Sequence, residues 1–439
     1  MPNTHTTLSD LFEAIADAIR AKTGSSDPIV ADEFPDAISE IESESVDLFG
    51  DVLFVDFDGT PVKVYTAKGF LDQVAMPACP TRDGFTSQGW NWTLAEAQSY
   101  VKNHGRLIVG HQCITSDNKT RLYIHLTSGA TVTMKYTQAA ALDVDVDWGD
   151  SSSPSGSATV GEVTASHTYA TAGDYTITLT GSVSFKSALF AQTIQAPNTF
   201  LVKAELGTVP ELESAFQFCK NLIGINIPQG TEFSAGGTFN YASIRVAVVP
   251  RSSNIVQTYT FADNACLELV SLPGNMSGMS LRIAVFENCE ALKRIMLPDG
   301  LTRPNTSAFD GCTALVERVM PVSATLTSNY SARNCTSLES ADIPDGVSTV
   351  GNGSYLGCTS LVSVTIPSSV TKLNNEAFKD CSSLVAVHMQ GSTPPTLGTD
   401  VFSGVANGCV IYVPVGSLTT YQAASGWSSI ASMLQEEAT

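Results

Sequence analysis

The sequence predicts a mainly β, multidomain protein whose C-terminal half is a solenoid. Five cysteines follow one another at steps of 23 residues: Cys289, Cys312, Cys335, Cys358 and Cys381. A leucine lies three residues after each cysteine, and a proline lies nine residues after each of the first four. A fixed period of this length indicates stacked coils, because one coil cannot bury its apolar side alone.

The repeated side chains are predicted to form continuous rows inside the stack. In the clearest repeat, Leu361, Val364 and Ile366 alternate along a short strand, which Pro367 ends because proline cannot donate to a strand ladder. Stacked coils repeat each side chain at about the 4.8 Å strand spacing, so buried free cysteines would act as small hydrophobes. The predicted structural ladder consists of Cys219, Cys289, Cys312, Cys335, Cys358, Cys381, Leu292, Leu315, Leu338, Leu361 and Leu384.

Two chemical roles for these cysteines are less favoured than the ladder. Parallel neighbours in a stack share one side-chain direction, which suits disulfide geometry poorly. A zinc site would need CxxC or CxxH pairs, which the sequence lacks. The register extends from about Ser214 to Pro414, nine units in all, with Asn264 in place of one cysteine.

These units resemble the BspA-like leucine-rich repeats, which read A-F-x-x-C-x-x-L-x-x-V-x-I-P. The resemblance implies a cell-surface or adhesion role, without catalysis and without a cofactor. Residues from Pro394 to Trp427 are similar to the closing segment of that family. The motif is carried most clearly by Ala308-Phe309-Asp310-Gly311-Cys312-Thr313-Ala314-Leu315 and Ala377-Phe378-Lys379-Asp380-Cys381-Ser382-Ser383-Leu384.

Two further modules are predicted before the solenoid. Trp148-Gly149-Asp150 and the run from His167 to Leu179 resemble a PKD or immunoglobulin-like sandwich, which implies a spacer or binding module. Ahead of it, Thr93 and Glu96 form a capping box that predicts a helix. Asp58-Gly59 predicts a hairpin turn. These signals indicate a small mixed domain that acts as a second spacer.

The N-terminal residues have helical apolar spacing, with Leu11, Ile15 and Ile19 on one face. The segment is similar to N-terminal segments of phage tail and fibre proteins, which implies attachment to other virion proteins. A helical hairpin packed on the next domain is the plainer interpretation, and the two are compatible. The predicted domains are a helical attachment module (1–47), a small mixed α/β domain (48–128), a PKD/Ig-like β-sandwich (129–195), a BspA-like solenoid (196–414) and a C-terminal cap (415–439).

Composition excludes several classes of partner. The 439 residues carry a formal net charge of −20, so neither a nucleic-acid backbone nor an anionic membrane surface is an expected partner. No run of 18 apolar residues is present to span a membrane, and the first residues do not resemble a signal peptide. An adhesion protein without an export signal needs another route out of the cell, which release by lysis within a phage particle supplies.

One motif suggests an enzyme. The run from Asp56 to Thr60 matches the DxDGT motif of haloacid-dehalogenase-type phosphatases. There Asp56 would accept the phosphoryl group and Asp58 would protonate the leaving oxygen. Those enzymes need a larger doubly wound sheet, whereas about 70 residues separate the motif from the predicted sandwich. A β-hairpin is therefore the favoured interpretation.

Three other candidate sites have favoured structural alternatives. His111 and Cys113, with His125, make an incomplete zinc set, so ordinary burial is favoured. Trp90 and Trp92 could stack on a sugar ring of a ligand, although packing is the commoner role. An acidic cluster could offer oxygen ligands to calcium, but its alternation along a strand favours a solvated face; it consists of Asp143, Asp145, Asp147 and Asp150.

These features predict a non-enzymatic phage virion fibre, receptor-binding or decoration protein. Its solenoid would contact a bacterial surface glycan or protein, and the expected location is the virion. A bacterial cell-surface adhesin of BspA type is the alternative, and a phosphatase is the least favoured hypothesis. A homo-oligomer, such as the trimer common among fibres, is compatible with the sequence.

Overall fold

Short strands dominate the residues that the computed structural model describes, which are 51–190, 192–251, 257–301 and 304–438. The predicted attachment module, 1–47, lies outside the described residues. Asp51–Thr439 is one compact unit. The predicted mainly β fold with a C-terminal β-solenoid is confirmed.

A four-stranded sheet and two helices form the first part, here named the α/β unit. Its elements are β1 (Val52–Val55), β2 (Pro61–Tyr65), α1 (Ala67–Leu71), β3 (Phe85–Trp90), α2 (Leu94–His104) and β4 (Leu107–Thr115). The strand order is β2-β1-β4-β3, and β1 and β4 are its one parallel pair. Thr93 and Glu96 make the capping box at the start of α2, and β1 and β2 form the hairpin, so both of these predictions are confirmed.

Two sheets that share one core follow in the chain. Their strands are β5 (Thr120–Leu126), β6 (Ala130–Gln138), β7 (Asp145–Asp147), β8 (Ser155–Gly156), β9 (Gly161–Tyr169), β10 (Gly173–Thr180), β11 (Leu201–Glu205) and β13 (Gly224–Ile225). One sheet has the order β13-β11-β5-β10-β7-β8, and the other pairs β6 with β9. The predicted borders at 128 and 195 both fall within the first sheet, because β5 pairs with both β10 and β11.

The residues that suggested the sandwich lie together. The Trp148 and His167 rings stack with centroids 5.2 Å apart, and the Tyr169 hydroxyl donates to the Trp148 carbonyl oxygen at 2.8 Å. His167 Nε2 lies 2.6 Å from a carboxylate oxygen of Asp150. The motif therefore fixes the end of β9 against the loop after β7.

The solenoid carries two rows of short parallel strands. The remaining strands are β12 (Glu211–Leu212), β14 (Glu232–Phe233), β15 (Val246–Val248), β16 (Leu269–Ser271), β17 (Arg294–Met296), β18 (Glu317–Val319), β19 (Leu326–Thr327), β20 (Thr349–Val350), β21 (Ser363–Ile366), β22 (Lys372–Leu373), β23 (Ala386–Met389), β24 (Thr396–Leu397) and β25 (Val410–Val413). A parallel bridge between Phe185 and Leu212 shows that coil-like pairing starts before the predicted border at 196.

Both ends of the stack are closed. At the first end β5 pairs with β11, which removes an exposed strand edge. At the last end come α3 (Leu418–Ala423), a 3-10 helix (Trp427–Met433) and β26 (Leu434–Glu436), which pairs with β25. Tyr421 and Trp427 are fully buried there and cover the last coil. Every helix in the described part of the chain is too short or too polar to cross a membrane.

Candidate recognition face

The repeated cysteines form a buried row in which each thiol donates a hydrogen bond. Cys289 Sγ lies 3.1 Å from the Phe261 carbonyl oxygen, and Cys312 Sγ lies 3.0 Å from that of Phe286. The acceptor in each case belongs to the preceding coil, so the thiols tie neighbouring coils together. The same contact is made by Cys335, Cys358 and Cys381.

Burial makes these thiols unreactive. All ten cysteines are free, and Cys219 and the five evenly spaced ones have no exposed surface, nor do the five ladder leucines. Burial raises the pKa of the Cys335 thiol and of the Cys381 thiol to about 12. A thiol of such high pKa holds its proton at neutral pH, and the thiolate is the reactive form.

Asn264 occupies a cysteine position of the row and also acts as a donor. Its Nδ2 donates to the Phe239 carbonyl oxygen of the preceding coil and to Phe261 O at 3.1 Å. It thus replaces the thiol in the same contact. The Phe239 carbonyl oxygen also accepts the Ala242 N–H at 3.0 Å, so the amide, like the thiols, adds a second donor to a carbonyl oxygen that is already paired.

A row of aromatic rings runs beside the thiols. Consecutive centroids lie 5.2–5.8 Å apart with planes within 7° of parallel. Ala332 interrupts the row, and the Arg318 guanidinium takes its place, 5.8 Å from the Phe309 ring and 5.3 Å from the Tyr355 ring. The row consists of Phe216, Phe239, Phe261, Phe286, Phe309, Tyr355, Phe378 and Phe402.

The outer side of the strands after the repeat leucines forms a face, here named the strand face. Its key position is the fourth residue after the leucine, which points away from the coil interior. In β16, β17 and β18 this residue is Ser271, Met296 or Val319, and each is at most 9% exposed. They are buried because the α/β unit packs against them.

Hydrogen bonds from the loop between β3 and α2 fix this contact. Asn91 Nδ2 donates to the carbonyl oxygen and hydroxyl of Ser271, at 3.1 and 3.0 Å. The Trp92 indole donates to the Leu272 carbonyl oxygen at 2.7 Å. In the first turn of α2, next to this loop, the Glu96 carboxylate pairs with Arg251 at 2.6 Å. The loop thus supplies polar partners to strand ends that would otherwise lose water on burial.

The far end of α2 and the start of β4 extend the contact. Asn103 and His104 both contact the carboxylate of Asp299, at 3.0 and 2.8 Å. Arg106 Nη1 donates to both carboxylate oxygens of Glu317, at 3.0 and 2.8 Å. The α/β unit, predicted as a spacer, therefore covers the strand face of several coils instead.

Gly110 permits the close approach of β4 to the coils. A Cβ atom at this position would lie 2.5 Å from Val248 Cγ1 and 3.1 Å from Ser271 Cβ. No real side chain packs so tightly, so only glycine lets this part of β4 lie against β15 and β16.

The later coils leave the strand face open. Thr365 in β21 is exposed, and the next two equivalents, His388 and Tyr412, are partly exposed. Their rings stack with centroids 5.0 Å apart and planes 13° from parallel. His388 Nδ1 also lies 3.3 Å from a carboxylate oxygen of Glu437. Rigid parallel strands thus present an aromatic pair beside a carboxylate.

The structure gives the two tryptophans packing contacts and gives His111 a carboxylate partner. Trp90 and Trp92 are 8% and 4% exposed, and Trp90 donates to the Pro77 carbonyl oxygen at 2.9 Å. Their rings are therefore buried rather than available to stack on a sugar. His111 Nδ1 lies 2.9 Å from Asp56, and among the described residues no group of three potential ligands is placed to hold a metal ion.

Two sets of carboxylates have local partners. Asp56 is buried, with one oxygen on His111 and the other on Arg82 at 2.6 Å, and Asp58 also pairs with Arg82. Neither oxygen of Asp56 is left free for a phosphoryl group. In the acidic cluster Asp143, Asp147 and Asp150 each accept a backbone N–H close in sequence, while Asp145 is exposed on β7.

The stacked coils, leucine row and paired strand rows define a β-solenoid of leucine-rich repeats. The family model described as BspA type Leucine rich repeat region matches six copies, over residues 184–316 and 280–409. These matches together cover just over half of the chain. The chain therefore belongs to the BspA-type leucine-rich repeat family.

Several solved structures are similar to parts of the chain. A leucine-rich repeat protein from Bacteroides ovatus ATCC 8483 is 19% identical over 54% of this chain and 78% of that one, with a TM-score of 0.38. The leucine-rich repeat protein of T. pallidum is 24% identical over 39% and 86%, with a TM-score of 0.32. A leucine rich cell surface protein from Faecalibacterium prausnitzii A2-165 is 19% identical over 53% and 68%, with a TM-score of 0.35. No match was found among curated proteins.

Proposed function

We propose that the protein is a surface-recognition protein whose solenoid works by binding, not by catalysis. The observation that carries this proposal is the open part of the strand face around Thr365, His388 and Tyr412. Membership of the BspA-type leucine-rich repeat family supports it. The partner is a glycan or protein of a bacterial surface.

Chemistry at the open face supports such a partner. An exposed aromatic pair offers a flat apolar surface, and the neighbouring hydroxyl, imidazole and carboxylate offer hydrogen bonds. This combination suits a sugar or a polar protein surface. The net charge of −20 disfavours nucleic acid and anionic lipid.

Binding of the purified chain to bacterial cells tests the proposal. The double variant His388→Ala/Tyr412→Ala should lose most of the cell binding while it melts like the wild type. A matched control is Tyr241→Ala. Tyr241 also belongs to a stacked aromatic pair, with its ring centroid 5.3 Å from that of Phe218, but it lies outside the strand face. Equal binding by the double variant and the wild type would refute a role for the open face.

Two settings fit this function. In the first, the protein is a virion fibre or decoration protein that the segment 1–47 attaches to other virion proteins. In the second, it is an adhesin on the cell that makes it. Mass spectrometry of purified particles and fractionation of uninfected cells separate the two: a chain missing from particles rules out the first, and a chain on uninfected envelopes establishes the second.

A further inference from the structure

A hydrogen-bonded chain of serine, histidine and aspartate lies in the α/β unit, outside the strand face. Ser87 Oγ lies 2.8 Å from His111 Nε2, and His111 Nδ1 lies 2.9 Å from Asp56 Oδ1. Ser87 is exposed, whereas His111 and Asp56 are each 1% exposed. These distances and this gradient of burial are those of a serine nucleophile, its base and the group that orients the base.

The contacts fix the imidazole tautomer. The Asp56 carboxylate can only accept, so Nδ1 carries the proton and Nε2 is left to accept from the Ser87 hydroxyl. Burial favours the neutral form of Asp56, but hydrogen bonds from His111 and Arg82 outweigh it and hold the pKa of that carboxyl below its ordinary value. Asp56 thus stays ionised beside the imidazole. The Trp90 ring packs against His111 at 5.6 Å and limits its rotation.

A bulge in β3 supplies an N–H donor and room for a carbonyl group. Pairing between β3 and β4 shifts register between Ser87 and Gly89, and the Gly89 N–H donates to Ser87 Oγ at 3.2 Å. Gly89 has a φ of +90°, and no atom lies within 4 Å of the place where its Cβ would be. This N–H is occupied by Ser87 Oγ itself, so an oxygen bonded to the carbon that Ser87 attacks would take it over as the Oγ forms its new bond.

We propose that Ser87, His111 and Asp56 form an acyl-transfer site for short acyl esters carried on a larger surface molecule. His111 Nε2 takes the Ser87 proton as Oγ bonds to the ester carbonyl carbon. The bond to the alcohol oxygen then breaks, and that oxygen takes the proton from Nε2. Water releases the acyl group in the same way, which yields a carboxylic acid, an alcohol and free Ser87. Because Ser87 lies on an exposed strand, an ester that protrudes from a large molecule can reach it.

Labelling of the full chain with an alkyl fluorophosphonate tests this site. The reagent phosphonylates an activated serine with loss of fluoride, and mass spectrometry of the peptides locates it. Ser87 should react at least about 100-fold faster than Ser116, an exposed serine of the same unit, as expected for an activated nucleophile. Ser116→Ala is the matched control for Ser87→Ala. Ser87→Ala should abolish the fast labelling and should reduce hydrolysis of 4-nitrophenyl acetate to the rate without protein, whereas Ser116→Ala should change neither.

Two orienting variants distinguish catalysis from a structural role. Asp56→Asn and His111→Gln should each slow labelling of Ser87 by about 100-fold or more while circular dichroism shows a folded chain. If either fails to fold, the ratio of Ser87 to Ser116 labelling in the wild type decides alone. Equal labelling of the two serines would overturn the proposal, and it would leave the binding role of the solenoid untouched.

Discussion

The two halves of the strand face differ although the repeat beneath them is the same. In β16 to β18 the outer position is buried under the α/β unit, whereas in β21, β23 and β25 it faces solvent. The buried leucine row runs through both halves without change. The repeat therefore determines the inside of each coil, and the outer strand residue decides whether that coil packs against its own chain or stays available to a partner.

The largest expected effect is a loss of stability when a side chain is removed from the covered half of the strand face. Trp92→Ala should destabilise the protein by about 3–5 kcal/mol, because it removes a buried indole and its 2.7 Å bond to Leu272. Thermal unfolding followed by circular dichroism measures this loss. Tyr412→Ala in the open half is the matched control and should cost under about 1 kcal/mol. Equal losses would mean that the two halves do not differ as described.

The interior should respond alike in both halves. Leu292→Ala below the covered half and Leu361→Ala below the open half should each cost about 2–5 kcal/mol, since both leucines are fully buried. Neighbouring coils should melt together with the altered one. A melting curve that either variant leaves unchanged would contradict the assigned register.

The thiol row should depend on its hydrogen bonds. Cys312→Val keeps a side chain of similar size but removes one of the two donors to the Phe286 carbonyl oxygen, which keeps the Cys289 N–H at 3.2 Å. The loss of this one hydrogen bond should cost about 0.5–1.5 kcal/mol. Cys312→Ser keeps a donor and should lose less. Denaturant unfolding of the two variants checks the order. A valine variant as stable as the wild type would show that the row is only hydrophobic.

The smallest expected effect on stability is that of acid, which should weaken the contact between the α/β unit and the covered half of the strand face. Burial by itself would raise the pKa of Glu96 and that of Asp299. Hydrogen bonds outweigh this effect, from Arg251 to Glu96 and from His104 to Asp299, so the pKa of each carboxyl is below its ordinary value. A carboxyl with a depressed folded pKa stabilises above its ordinary value of about 4 and loses that contribution as the pH falls through the folded value. Glu96→Gln/Asp299→Asn should therefore flatten the fall in melting temperature on acidification. An unchanged pH profile would exclude these carboxyls as its cause.

The interior could be predicted from the sequence because its period is fixed. The leucine and cysteine rows follow from spacing alone, but the thiol donor does not, since a buried cysteine reads as a small hydrophobe. Asn264 was the one sequence signal for a donor, because an amide can replace a thiol in a hydrogen bond but not as an apolar side chain. Arg318 shows the same limit: it fills the gap left by Ala332 through a contact between neighbouring coils that no single repeat reveals.

The cover over the strand face could not be read from the sequence pattern that predicted the coils. Met296 and Val319 are apolar residues at outward positions of consecutive coils. These two residues were the one direct sequence signal that another part of the chain covers the strand face. The α/β unit joins the solenoid through residues far apart in the chain, such as Asn91 with Ser271. The chain Ser87–His111–Asp56 was missed for the same reason, because Asp56 directly follows β1, whereas Ser87 lies on β3 and His111 on β4.

Histidine modification by diethyl pyrocarbonate, mapped by mass spectrometry, tests the central claim most directly. The side chain of His104, under the covered contact, is 8% exposed, and that of His388, on the open half, is 38% exposed. His388 should react readily in the folded protein, and His104 should react only after unfolding or in Trp92→Ala. Equal modification of His104 and His388 in the folded wild type would contradict the division of the strand face into a covered and an open half.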